Sequence, residues 1–206
     1  MSESPFERKT NPLLVVISGP SGAGKDSVIR RMEELGLPFR FLVTTTTRAR
    51  RDDEVNGVDY CFVSKPEFER MIDQGEFLEY ALVYGQYKGV PKADARDALA
   101  AGQDVVMRVD VQGAATVRRI VPQALLIFLV TSSEEELIER LRRRGTESPD
   151  ELRLRIETIR EEIQRSNEFE YIVVNADGRL DEAVERIGSI IKAEKCRVNQ
   201  RRRVEL

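Results

Sequence analysis

Residues 19–28 read Gly-Pro-Ser-Gly-Ala-Gly-Lys-Asp-Ser-Val, a stretch in which three glycines, a lysine and a carboxylate crowd together. Gly19, Gly22 and Gly24 let successive backbone N–H groups turn inward around phosphate oxygens, with Pro20, Ser21 and Ala23 filling the loop between them. Lys25 would then reach the β- and γ-phosphates of a bound nucleotide. Such loops normally continue with Ser or Thr, whose hydroxyl helps hold Mg²⁺, but here Asp26 takes that place. A bare carboxylate about 4 Å from a phosphate charge costs roughly 4 kcal/mol at an effective dielectric near 20. With Mg²⁺ between them the sign reverses, since both groups are hard oxygen ligands. Asp26 therefore suits a site that always takes its nucleotide with metal. Two alternatives stay open: Ser27 could supply the missing hydroxyl, and Asp26 could simply complement a helix dipole.

A second constellation lies in "TTTTRARRDDEVNGVDY", residues 44–60. Arg48 and Arg51 stand three apart in a loop-like segment, where forked guanidinium groups suit a phosphate. Thr44 and Tyr60 add hydroxyls, and Glu79, in "GEFLEYA", could accept from the N1 and N2 donors of a guanine. The chain has no histidine, which removes Ser-His and Cys-His nucleophile systems and the commonest general base.

These residues need elements to hold them. "LLVVIS" (13–18) is a continuous apolar run expected of a strand buried on both faces, and "KDSVIRRMEEL" (25–35) has the apolar spacing of a helix, stopped by Gly36 and Pro38. A strand, a glycine loop and a helix in succession give the phosphate reading its context. "DVVMRVDV" (104–111), "ALLIFLV" (124–130) and "YIVVN" (171–175) read as further strands. Helices are expected near 113–120, over 133–145 with Ser133 and Glu136 as a capping box, over 148–165 capped by Ser148 with Pro149 and Glu151 behind it, and over 179–195. This alternation implies a mainly parallel sheet covered by helices. Residues 39–90 break the rhythm: turn signals at 56–57, 84–85 and 88–89 and the alternation of "VDYCFV" predict an inserted lobe of half-buried antiparallel strands.

With 206 residues, 41% hydrophobic and 33% charged, the chain is expected to form one soluble α/β domain with room for a small inserted lobe. A net charge of −3 gives no sign of bulk nucleic-acid binding. Cys61 and Cys196 have no motif spacing, and no apolar run approaches a membrane span, so a cytoplasmic location is expected.

The motifs "SGPSGAGK", "TTTRxxRxxEVNGxDY", "FLE", "VDVQGA" and "RRRGTES" together make the chain resemble the guanylate kinase family from Leu14 to about Lys195. The resemblance implies a P-loop kinase core (12–38 and 91–195), an inserted GMP-binding lobe (39–90), a mobile lid (142–156) and tails at 1–11 and 196–206. It implies ATP and GMP as substrates and Mg²⁺ accompanying ATP, with no nucleic acid or membrane as partner. By the same likeness Thr44, Arg48, Arg51 and Tyr60 would hold the GMP phosphate, Glu79 the guanine, and Asp110 would lie near guanine or the metal's water shell. Arg144 and Arg155 match lid arginines that close over the ATP phosphates, and Asn175 matches a residue near the adenine. The pattern breaks at Lys88, where a phosphate-contacting Tyr is common, at Val90, where a Ser or Thr often touches guanine, and at Arg108, which replaces an acidic residue. Two other readings compete. Ribose 1,5-bisphosphate phosphokinases can also carry "GKDS", and non-catalytic guanylate-kinase-like modules bind protein partners through the same lobe.

Overall fold

The apolar run that follows Asn11 forms strand β1 (Leu14–Ser18), and the glycine loop delivers the chain into helix α1 (Lys25–Glu34). A computed structural model describes residues 10–52, 54–83, 85–144, 149–199, 204 and 206, the side chains of residues 83, 144 and 149–151 excepted. After α1 come β2 (Phe39–Phe41), β3 (Thr44–Thr46), β4 (Tyr60–Phe62), α2 (Lys65–Asp73), β5 (Phe77–Val83), β6 (Gln86–Pro91) and α3 (Lys92–Ala100). The chain continues through β7 (Asp104–Arg108), α4 (Val111–Ile120), β8 (Leu125–Val130), α5 (Glu134–Arg144), α6 (Pro149–Gln164), β9 (Tyr171–Val174) and α7 (Leu180–Lys195).

Five strands make a parallel sheet in the order β2-β7-β1-β8-β9, with Val16 opposite Met107 on one side and Leu126 on the other. Side chains alternate across β1, so its residues feed two cores. Leu14 and Val16 join Leu99, Met107 and Val117 beneath α3 and α4, while Val15 and Ile17 join Val28, Met32, Val184 and Ile187 beneath α1 and α7. Each such fully buried side chain contributes about 1.5–3 kcal/mol relative to leaving it in water. The sheet fastens at its lower end through Asp104, whose carboxylate accepts from Leu13 N at 2.9 Å and Lys195 Nζ at 2.5 Å.

Several expectations are corrected. The strand expected over 104–111 stops at Arg108, because Asp110 caps α4 by accepting from Gly113 N at 2.7 Å. Glu136 N does bond Ser133 Oγ at 3.2 Å, but the Glu136 carboxylate reaches back to Ser132 instead. The cap expected at Ser148 lies outside the described residues. The lobe expected to begin at residue 39 begins later, since β2 pairs in parallel with β7 as an edge of the first sheet. The end of the chain, expected as a solvated tail, carries Val204, which is buried in the same core as Leu14.

The second sheet runs β4-β3-β6-β5 and is not wholly antiparallel: β4 lies parallel to β3, with Thr44 opposite Tyr60. The connection between them doubles back, held by Asn56 Oδ1 accepting from Phe62 N and Asp59 Oδ2 from Val55 N, each at 2.9 Å. Helix α2 was not expected at all, although Ser64 caps it by accepting from Glu67 N at 3.3 Å and Pro66 sits in its first turn. Residues 88–89 are not a turn but part of β6. Gly89 is there for space: a Cβ would fall 2.8 Å from Phe77 Cδ1 and 3.0 Å from Phe68 Cζ, in the stack Phe68 makes with Phe77 and Tyr87.

Candidate active site

The phosphate loop owes its shape to two glycines. At Gly19, with φ +142°, a Cβ would lie 2.0 Å from Leu129 O of the neighbouring strand β8. At Gly24, with φ +91°, it would lie 2.3 Å from Asn175 Nδ2. Gly24 begins α1 in a left-handed conformation with no side-chain cap, so the first N–H groups of the helix stay available to an anion. Lys25 is partly buried, and its Nζ donates to Gly19 O at 2.6 Å and Pro20 O at 3.1 Å. Burial pushes its pKa below the usual lysine value, against the pull of Glu162, Asp26 and Asp110.

A cleft of about 310 Å³ is lined by this loop and by the second sheet. Lys25 and Asp26 face it from the loop, Thr44, Tyr60, Glu79 and Lys88 from the lobe strands, and Arg108 and Asp110 from the end of β7. Strand register explains the convergence. Ile17 pairs with Arg108, so the end of β7 lies beside the start of the loop. Thr44 pairs with Tyr60, and Thr46 and Ala81 flank Lys88.

Glu79 is buried at 6% exposure, and burial, with Asp110 adding to it, pushes its pKa up to about 8. Its Oε2 lies where a Cβ on Gly113 would sit, 2.8 Å away, so the glycine at the start of α4 admits the carboxyl. Lys88, where the family pattern breaks, sits in a strand. It is largely withdrawn from water, and its pKa is lowered chiefly by that burial.

Arg48 is gripped by Glu54. Its Nη1 donates to Glu54 Oε2 at 2.7 Å, its Nη2 to Oε1, and the same carboxylate accepts from Arg51 N at 2.9 Å. Hydrogen bonding to Arg48 holds the Glu54 carboxyl below the usual carboxylate range. The Arg48 guanidinium also packs on Tyr60, 4.7 Å from the ring centroid.

The remaining expected site residues are placed less uniformly. Ser27 and Arg51 are exposed, and neither lines the cleft. Asn175, expected near an adenine, lies behind the loop: its Nδ2 donates to Ala23 O at 2.9 Å and its O accepts from Arg140 Nη2 at 2.8 Å. Arg155, on α6, is close enough to depress the Lys88 pKa. The side chain of Arg144 lies outside the described residues, as do residues 145–148 of the expected lid.

Sequence reasoning passed over Glu54 and Glu162. Glu162 faces the cleft from α6, where the Ser21 backbone hydrogen-bonds its carboxylate and burial raises its pKa. No local signal separates it from Glu161. Glu54 could have been found, since an acid three to six residues after two arginines is placed to fold back on them.

Comparison with known proteins matches this arrangement. A model of the guanylate kinase family covers residues 11–194. "Guanylate kinase 2, chloroplastic/mitochondrial" from Oryza sativa subsp. japonica is 53% identical over 97% of this chain and 70% of that protein. A guanylate kinase from Caldanaerobacter subterraneus subsp. tengcongensis is 43% identical over 93% of this chain and 92% of its own length. The crystal structure of guanylate kinase from Anaplasma phagocytophilum superposes with a TM-score of 0.75 at 29% identity, covering 92% of this chain and 89% of that one. A glycine loop leading into a helix and a buried carboxyl group across the cleft accord with a match that spans nearly the whole chain, and this match places the protein in the guanylate kinase family.

Proposed function

We propose that the chain transfers the γ-phosphoryl group of ATP to GMP, and to dGMP, giving the nucleoside diphosphate in purine nucleotide metabolism. The observation that carries this reading is the pairing within one cleft of the glycine loop and Lys25 with the buried carboxyl of Glu79 beside Thr44 and Tyr60. The loop suits a donor's phosphates and the carboxyl suits a base that presents two adjacent N–H donors. Neither a sugar bisphosphate nor a protein partner calls for such a carboxyl, and the curated relatives favour neither alternative.

The nucleophile in this reaction is a phosphate oxygen, already anionic at neutral pH, so the absence of histidine is no obstacle. Catalysis reduces to positioning and to neutralising charge on the transferring group. In this reading Lys25, Arg144 and Arg155 neutralise that group, Arg48 and Arg51 hold the acceptor phosphate in line, and Thr44, Tyr60 and Asp110 complete the acceptor site. Closure of residues 142–156 excludes water. Mg²⁺ brought by ATP would supply further positive charge to the transferring phosphoryl. Asp26, a carboxylate lining the cleft, fits it better than Ser27, which is exposed and does not line the cleft. Neither Cys61 nor Cys196 is in a disulfide, which supports a reducing compartment such as the cytoplasm. Among the described residues no helix is long and apolar enough to cross a membrane.

A coupled assay of ADP production with GMP, dGMP, AMP and ribose 1,5-bisphosphate tests the assignment. Turnover with GMP and dGMP alone is expected; preferential use of ribose 1,5-bisphosphate would overturn it.

A further inference from the structure

Asp26 and Arg108 are distant in the chain and adjacent in space. The register that sets Ile17 opposite Arg108 brings the guanidinium to the first turn of α1, where Nε lies 2.8 Å from Asp26 Oδ1. The arginine side chain is 13% exposed and the aspartate 59%. Arg108 Nη2 donates to Asp59 O at 2.5 Å, and the guanidinium packs 4.7 Å from the centroid of Tyr60. Its Nε–H is not aimed at the carboxylate, so Arg108 gives Asp26 charge rather than a directed hydrogen bond. A guanidinium so shielded from water requires a counter-charge, and a carboxylate at the mouth of a phosphate loop repels the anion that the loop receives. Each residue offsets the cost of the other.

We propose that Arg108 is a positioning residue for the donor phosphates. It cancels the charge of Asp26, so that the aspartate-bearing loop accepts phosphate, and it fastens the first turn of α1 to the acceptor lobe through Asp59 and Tyr60. The proposal rests on the reading of residues 19–27 as the donor-phosphate site. With Arg108 in place the loop binds a nucleoside diphosphate without metal; with Arg108 removed, Mg²⁺ must provide the positive charge that is lost.

The test is a calorimetric titration of ADP into the full chain, in chelator and in excess Mg²⁺, for the wild type, Arg108→Gln, Asp26→Asn and the double variant. Arg108→Gln should weaken metal-free binding at least about tenfold, most of it recovered by Mg²⁺, and the double variant should return to within about threefold of wild type. Asp26→Asn alters an exposed carboxylate and stays informative if Arg108→Gln does not fold. It should tighten metal-free binding by about threefold, because the Arg108 charge is then unopposed. A double variant that binds no tighter than Arg108→Gln, an Arg108→Gln loss equal with and without Mg²⁺, or weaker metal-free binding by Asp26→Asn would overturn the role of Arg108. A wild type that binds no ADP in either condition would instead overturn the donor-site reading on which it rests.

Discussion

The two sheets of this protein are held together by different physics. The parallel sheet carries Val15, Val16, Ile17, Val106 and Ile127 with no exposed surface, and its helices lie on apolar side chains above and below. The lobe sheet joins two three-residue strands to two longer ones. Much of its cohesion comes from charge and rings, with Glu54 on Arg48, Arg48 and Arg108 on Tyr60, and Phe68 stacked with Phe77 and Tyr87. Apolar burial is non-directional and tolerant of detail, whereas paired charges fail abruptly when one partner is lost. The first sheet should therefore answer to volume and backbone shape, and the lobe to the removal of single charges.

Substitutions of graded severity test that contrast. Gly19→Ala, which forces a methyl onto Leu129 O, should cost about 4 kcal/mol in chemical denaturation and abolish nucleotide binding. Near-wild-type stability would show the parallel sheet to be more yielding than argued. Glu79 supplies the next largest effect, through pH. Its folded-state carboxyl keeps its proton to about pH 8, against an ordinary value of 4.5, so the unfolded chain releases a proton that the folded chain retains. The stability it contributes is present at low pH and is lost, by several kcal/mol, as pH rises between those values. Glu79→Gln should flatten that slope. In the wild type, if guanine donors demand the carboxylate, GMP binding near neutral pH should release a proton, measurable by calorimetry in buffers of different ionisation enthalpy.

Arg48→Ala should lower kcat/KM for GMP about 100-fold, roughly 2.7 kcal/mol, and lower the melting temperature by leaving the nearly buried Glu54 carboxylate unpaired, while ADP affinity barely moves. Near-normal turnover at limiting GMP would remove Arg48 from the acceptor site. Glu54→Gln should raise KM for GMP about tenfold with kcat largely kept, since Glu54 orients Arg48 without touching substrate. An equal loss in kcat would argue against that indirect role. At the bottom of the scale, Arg40→Ala breaks an exposed pair with Asp94 and should change stability by less than about 0.5 kcal/mol.

The same contrast governs what could be read from sequence. β1, the glycine loop, α1, β8 and α7 are legible because burial on both faces leaves continuous apolar runs and burial on one face leaves helical spacing. The lobe misleads because its order is set between segments. Nothing local says that β4 runs parallel to β3, or that Gly89 serves a ring stack rather than a turn. Helix α2 is a different kind of miss, since Ser64, Pro66 and Glu67 announce it but the surrounding strand signals drown it. At the site, Asp26 and Arg108 each stand out as breaks in a familiar pattern. Only the pairing of β1 with β7 reveals that they answer each other.

Tyr60, on which two guanidinium groups pack, gives the protein an optical property as well. The chain has five tyrosines and no tryptophan, so phenol emission is not masked by indole. Among the described residues Tyr60 is the tyrosine that lines the cleft. On the proposed acceptor role of Arg48, a phosphate that drew its guanidinium away from that ring would change the field around the phenol. The occupancy of the acceptor site can then be followed by the protein's own ultraviolet fluorescence, without a label and without turnover.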